Sequence, residues 1–148
     1  MTFDLTGRVA IVTGGNGGIG LGIARGLWQA GAAVAIVGRD AGKSEAAVAE
    51  LREAGSDAAA FTADLLDRSA VDAMVRAVVE RFGGVDVLVA NAGTNTRMRP
   101  EEYTIELWDA IVDTNLGSVF ACCQAVYPMM QQRGGGKIIT PRRGMGRR

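Results

Sequence analysis

A chain of 148 residues has room for one domain, and its 48% apolar and 22% charged composition is that of an ordinary globular protein. Its 16 basic and 16 acidic residues balance, so no broad basic surface argues for nucleic acid, and no apolar run approaches the roughly 18 residues of a membrane span. The absence of histidine removes His-dependent triads and most zinc sites, and no metal centre is expected.

The first predicted strand, Arg8 to Val12, runs into Thr13-Gly14-Gly15-Asn16-Gly17-Gly18-Ile19-Gly20. A helical pattern follows from Ile19 to Ala30, with Ile23, Leu27 and Trp28 on its period and Gly31 at the C-cap position. Glycine reaches the positive φ angles such a turn needs, and its missing Cβ lets a pyrophosphate lie against the backbone. The helix start adds unpaired N–H groups and the positive end of a dipole. A dinucleotide is therefore the first ligand to consider, with a purely structural turn as the alternative. Two glycine registers fit, Gly15-x-Gly17-x-x-Gly20 and Gly14-x-x-x-Gly18-x-Gly20.

Ala32 to Val37 is a continuous apolar run, the pattern of a parallel strand covered on both faces. Ser44 to Ala54 reads as the second helix, stopped by Gly55, and Ala58 to Thr62 as the third strand. Ser69 to Phe82 is the third helix, with Val71, Met74, Val75, Val78 and Val79 facing inward. Val85 to Ala90 is a fourth strand that enters the loop Asn91-Ala92-Gly93-Thr94-Asn95-Thr96. Helical pattern resumes over Ile105 to Val112 and Leu116 to Gln132, Gly134 to Gly136 breaks it, and Lys137 to Thr140 reads as a fifth strand. The alternation predicts an α/β fold of three layers, a doubly wound parallel sheet of Rossmann type, with its ligand outside the carboxyl ends of the strands. The domain spans 1–140, and a basic tail over 141–148 is expected to be disordered. Cys122 and Cys123 fall in an apolar helical stretch, where they read as buried packing residues.

Several polar residues sit where chemistry would be placed. Asp64 follows the third strand at the expected cofactor edge, where a carboxylate can accept from an exocyclic amine; in isolation a carboxylate there is more often a helix-capping residue. Asn91-Ala92-Gly93 brings small residues to a place where backbone must approach a ligand, or forms a plain turn. Asn115 lies among Ile111, Val112, Leu116, Val119 and Phe120, so its side chain needs a partner unless it is solvated. Arg97, Arg99, Glu101 and Glu102 follow the fourth-strand loop and read as a charged, solvent-facing loop, with contact to a polar or acidic substrate as the alternative.

Thr13-Gly14-x-x-x-Gly18-x-Gly20 resembles the cofactor motif of the short-chain dehydrogenase/reductase family. Asp64-Leu65, Asn91-Ala92-Gly93 and Asn115 follow in that family's order, so the resemblance covers roughly residues 3 to 140. It implies a strand order 3-2-1-4-5 and a nicotinamide dinucleotide bound at Gly14, Asn16, Gly18, Ile19, Gly20, Asp64, Leu65, Asn91, Ala92 and Gly93. Asn115 would be the helical active-site asparagine, and the substrate of intact relatives a small alcohol or carbonyl compound. The stretch from Asn91 to Thr140 looks most like members acting on sugar acids or polyols. NAD-selective relatives carry an acid at the position of Gly38, which has none to offer. Arg39 could instead pair with a 2′-phosphate, as in NADP-preferring members, so NADP is favoured over NAD. A solvated Arg39, with Asp40 reaching a ribose, is the alternative.

The family's catalytic tyrosine, the lysine four residues after it and the serine after the fifth strand have no counterparts here. Tyr103 is followed at that spacing by Leu107 and Tyr127 by Gln131, and Lys43 and Lys137 are the only lysines. Cofactor binding with impaired turnover is the resulting expectation, and a non-catalytic nucleotide-binding or interaction module is the alternative. The fifth strand would be an edge and the outer face of the Leu116 to Gln132 helix bare, which predicts marginal solubility or self-association. The abrupt ending Pro141-Arg142-Arg143-Gly144-Met145-Gly146-Arg147-Arg148 suggests a shifted reading frame or truncated gene, or else a basic tail for an acidic partner. Met1 to Thr6 lacks the pattern of a signal peptide, so a cytoplasmic location is expected.

Overall fold

β1 (Val9–Thr13) is buried at all five positions because it runs through the middle of a sheet that is covered on both faces. It pairs in parallel with β2 (Ala33–Gly38) on one side and β4 (Val87–Ala90) on the other. β3 (Ala58–Thr62) adds beyond β2, and β5 (Lys137–Ile139) beyond β4, both in parallel. The order β3-β2-β1-β4-β5 is the one implied by the family resemblance. This computed structural model describes residues 3–141, and the expected basic tail lies, from Arg142 onward, outside the described residues.

Successive strand residues face opposite layers, as the two-residue period of a strand requires. Ala10, Val12, Val34, Ile36 and Val89 pack on α1 (Gly18–Gln29) and α2 (Ala41–Glu53) through Ala24, Val48 and Leu51. Ile11, Ala35, Val37 and Leu88 pack on α3 (Arg68–Phe82) and α5 (Ser118–Gln132) through Val71, Val75, Val78 and Val126. Each fully buried Val, Leu or Ile stabilises the fold by about 1.5–3 kcal/mol relative to exposure. Cys122 belongs to the second of these cores; burial, with Cys123 beside it, pushes its thiol pKa up to about 11.

Three helices start on side-chain caps. Asp40 accepts from the Lys43 N–H at 2.9 Å, so α2 begins three residues earlier than its apolar pattern suggested. Asp67 caps α3 by accepting from Ser69 and Ala70, and Thr104 caps α4 (Ile105–Val112) by accepting from Leu107. The sequence pattern left a gap between the two last helical stretches, but the chain does not leave the helix there. A π turn over Asp113–Gly117 joins α4 to α5, with the Ser118 N–H donating to the Asp113 carbonyl.

At the amino end of the sheet, buried Asp86 gathers the chain. Its carboxylate accepts from Arg8 at 3.1 Å, from the Val9 N–H at 2.9 Å and from Arg133, at the end of α5, at 2.8 Å. On the outside, Ile105, Trp108, Leu116, Phe120 and Tyr127 form a strip along α4 and α5 that is more than half exposed, and all three residues of β5 are exposed at the sheet edge. Among the described residues no helix is long and apolar enough to cross a membrane.

Candidate functional site

The carboxyl ends of β1 and β4 are tied together by one hydroxyl. Thr13 Oγ1 accepts from the N–H groups of Asn91, at 3.0 Å, and Ala92, at 3.1 Å. Asn91 returns the contact, its Nδ2 donating to the Gly14 carbonyl at 3.3 Å. Between these strand ends the chain turns at Gly14, with φ +63°, and enters α1 at Gly18, with φ +52°. A Cβ on Gly20 would stand 2.1 Å from the Gly14 carbonyl oxygen, so no side chain fits there. Positive φ at Gly14 and Gly18 selects the second glycine register; Gly17, in the other, has an extended φ of 178°.

Unlike α2, α3 and α4, α1 carries no side-chain cap, and its first turn holds no acidic residue. Its leading N–H groups are therefore left for solvent or an anion. They open onto a cleft of about 590 Å³, within the range of small-molecule sites. Gly14, Asn16, Gly18, Ile19 and Gly20 line it from the turn, Arg39 from beyond β2, Asp64 and Leu65 from beyond β3, and Asn91, Ala92 and Gly93 from beyond β4. All the residues singled out for cofactor binding thus share one concavity.

Their local partners differ from the sequence reading in three respects. Asn16 Nδ2 donates to Ser44 Oγ at 3.1 Å and lies 2.4 Å from where a Cβ on Gly38 would be. Any side chain at Gly38, acidic or otherwise, would displace that amide. Asp40 is occupied as the cap of α2. Asp64 caps nothing: its Oδ1 accepts from the Leu66 N–H at 3.0 Å in a local turn, and α3 starts on Asp67. Arg39 is exposed and makes no ion pair among the described residues.

Asn115 does not itself line the cleft but lies directly behind Gly93 and Thr94, which do, as do Thr114 and Ser118. Its Nδ2 donates to the carbonyls of Thr94 at 2.7 Å and Ile111 at 2.9 Å, and its Oδ1 accepts from the Thr94 N–H at 3.0 Å. The side chain therefore has the partners its apolar flanks demanded, on the loop that carries Asn91 to Gly93. Arg97, Arg99, Glu101 and Glu102 are exposed and none lines the cleft, while the Tyr103 hydroxyl donates to the Thr96 carbonyl. Thr13, quoted in the glycine motif without a role of its own, joins the two strand ends, and Lys43, to which the sequence reading gave no role, lines the cleft. A hydroxyl ending an otherwise apolar buried strand could have signalled Thr13; Lys43 carries no such signal.

The cradle fits a bound diphosphate group. Bare helix amides face a turn from which Cβ atoms are excluded, and the cleft has no acidic residue on that turn. A family model described as short chain dehydrogenase matches residues 8–142. The chain is similar to gluconate 5-dehydrogenase of Gluconobacter oxydans, at 39% identity over 138 residues, covering 93% of the chain and 54% of that protein. It is 42% identical over 137 residues to the 3-oxoacyl-(acyl-carrier-protein) reductase FabG of Staphylococcus aureus, covering 90% of the chain and 54% of that protein. The crystal structure of gox2181 matches with a TM-score of 0.90 at 39% identity, over 93% of the chain and 54% of that structure. The chain spans about half the length of the curated relatives it matches.

Proposed function

Because this chain belongs to the short-chain dehydrogenase family, we propose that its cleft binds a nicotinamide dinucleotide, NADP in preference to NAD, and that these 148 residues do so without turnover. The observation that carries the reading is the uncapped start of α1, set against a turn where Gly20 leaves no room for a side chain. A diphosphate there meets N–H donors and the positive end of the helix dipole with no competing carboxylate.

In this reading Gly14, Asn16, Gly18, Ile19 and Gly20 hold the diphosphate, Asp64 and Leu65 the adenine side, and Asn91, Ala92 and Gly93 lend backbone to the remainder. Arg39, exposed and unpaired among the described residues, is the partner for a 2′-phosphate. A bound nicotinamide would supply hydride transfer to or from the carbon of a small alcohol or carbonyl compound. A carbonyl oxygen that gains charge in such a step needs a positioned proton donor or other electrostatic support. Neither tyrosine is placed to give it. Tyr103 is spent on the Thr96 carbonyl, and Tyr127 is exposed on α5, its hydroxyl accepting from Gln131. Asn115 supports the cleft from behind the Thr94 backbone, the role we assign it in place of direct contact. Self-association through the bare strip of α4 and α5 belongs to the same reading.

Calorimetric titration of the folded chain with NADPH and NADH, beside an oxidation assay on sugar alcohols and sugar acids, tests both halves. Binding without turnover is the expected result. Heat from neither dinucleotide would overturn the binding assignment, and measurable turnover would overturn the assignment of impaired chemistry.

A further inference from the structure

The geometry points to Lys43 as a second cation for the 2′-phosphate, acting with Arg39 to set the choice between the two dinucleotides; this rests on the nucleotide reading of the cleft given above. Lys43 belongs to the first turn of α2, yet its side chain reaches across to the glycine turn. Its Cε and Nζ stand 3.1 and 3.2 Å from where a Cβ on Gly17 would be. Gly17 has no side chain of its own, so an ammonium from a different element fills that space. Lys43 lines the cleft together with Arg39 and Asp40, and its side chain makes no ion pair among the described residues.

Charge counting shows why this lysine matters. Arg39 and Asp40 are adjacent and cancel, and Asp40 is fixed in place because its Oδ1 accepts from the Lys43 N–H at 2.9 Å. A phosphate arriving at the end of β2 therefore meets a pair with no net charge. Lys43 offsets the cleft's second carboxylate, Asp64 beyond β3, and offers three rotatable N–H donors on a flexible stem. Arg39 contributes planar, forked donors, so the two side chains supply different halves of a phosphate site. Asn16, which lines the cleft and donates to the buried Ser44 Oγ at 3.1 Å, adds a neutral polar group.

The test uses two small probes that lack a diphosphate: adenosine 2′,5′-bisphosphate and 5′-AMP, titrated calorimetrically into the full chain. The native chain is expected to bind the bisphosphate more tightly. Lys43→Met should weaken the bisphosphate by about tenfold, the effect of one charge-assisted hydrogen bond, and leave 5′-AMP unchanged. Lys43→Arg should restore most of the preference. An unchanged melting temperature is expected for both variants, because the cap of α2 uses the backbone of residue 43. If Lys43→Met keeps the full preference, or weakens both probes alike, the assignment of Lys43 is overturned while the nucleotide site stands. If the native chain binds neither probe nor either dinucleotide, the nucleotide reading itself fails.

Discussion

Asn115 grips the backbone of Thr94 from both sides, its Oδ1 accepting from the N–H at 3.0 Å and its Nδ2 donating to the carbonyl at 2.7 Å. The same side chain lies over Gly93, where a Cβ would stand 2.4 Å from Oδ1. A π turn of the long helix is thereby fastened to the loop that forms one wall of the cleft. Only a side chain with both a donor and an acceptor can make this contact, and only a residue without a side chain can lie under it.

Asn115→Asp removes the donor and places a charge beside the Thr94 carbonyl, so it should loosen that loop more than it harms the fold. We expect faster hydrogen exchange at the Thr94 amide, a loss of about 1 kcal/mol in global stability, and weaker dinucleotide binding. Exchange measured by NMR on native and variant chains checks it. Unchanged protection at Thr94 would show that the loop holds its place without Asn115.

Gly20→Ala and Gly22→Ala form a contrasting pair on one helix. At Gly20 the new methyl would stand 2.1 Å from the Gly14 carbonyl oxygen, whereas nothing lies within 4 Å of a Cβ on Gly22. The first change should cost about 1–3 kcal/mol through overpacking and abolish dinucleotide binding. The second should raise stability by about 0.5–1 kcal/mol, because it removes a glycine from a helix interior without changing the cleft. Thermal melts and NADPH titrations separate the two. Equal effects at both sites would contradict the close approach of Gly20 to Gly14.

Much of this was legible in the sequence because the strands are buried on both faces and so appear as unbroken apolar runs, Val9 to Val12 and Val34 to Val37 above all. The glycine register was not, since two spacings fit and only the φ values of Gly14 and Gly18 separate them. The start of α2 was missed because its signal is the single carboxylate of Asp40 and not an apolar period. The π turn depends on a loop 21 residues earlier in the chain, and the junction at Asp86 on residues 47 and 78 positions away. No local pattern encodes such partnerships. Lys43 is a further case, because its place over Gly17 exists only once β1 and β2 lie side by side.

Asp86 should control the acid limb of stability. Burial alone pushes its carboxyl up, but hydrogen bonds from Arg133, the Val9 N–H and Arg8, with the charge of Arg133, outweigh that and hold it below the usual carboxylate range. A folded-state pKa below the unfolded one gives stability that is complete above the unfolded value and is lost as pH falls through the folded value. The melting temperature should therefore drop between about pH 5 and about pH 3. Asp86→Asn should cost about 3 kcal/mol at neutral pH, because it leaves Arg133 without its buried partner. The gap between variant and native should then narrow in acid. A gap that stays constant over that interval would remove Asp86 from the account.

The exposed strip of α4 and α5 carries opposite charges near its two ends. Arg68 of α3 lies over the Phe120 ring at 5.6 Å and donates to Gln124 at 3.2 Å, while Glu106, Asp109 and Asp113 are exposed on the other half of the same helix run. In an antiparallel pairing of two copies centred near Leu116, Asp109 of one copy lies opposite the Cys123 to Gln124 stretch of the other, and so beside Arg68. That complementarity, together with the apolar residues between those charges, favours a second copy as the cover. Sedimentation velocity over a concentration series should show reversible self-association, abolished by Trp108→Glu or Phe120→Glu. Arg68→Glu should weaken it, and adding Asp109→Arg to that variant should restore it, because the reversed pair regains opposite charges. Added salt should weaken the native association only in part, since apolar burial persists when charges are screened. A chain that sediments as a monomer throughout the series would refute this pairing.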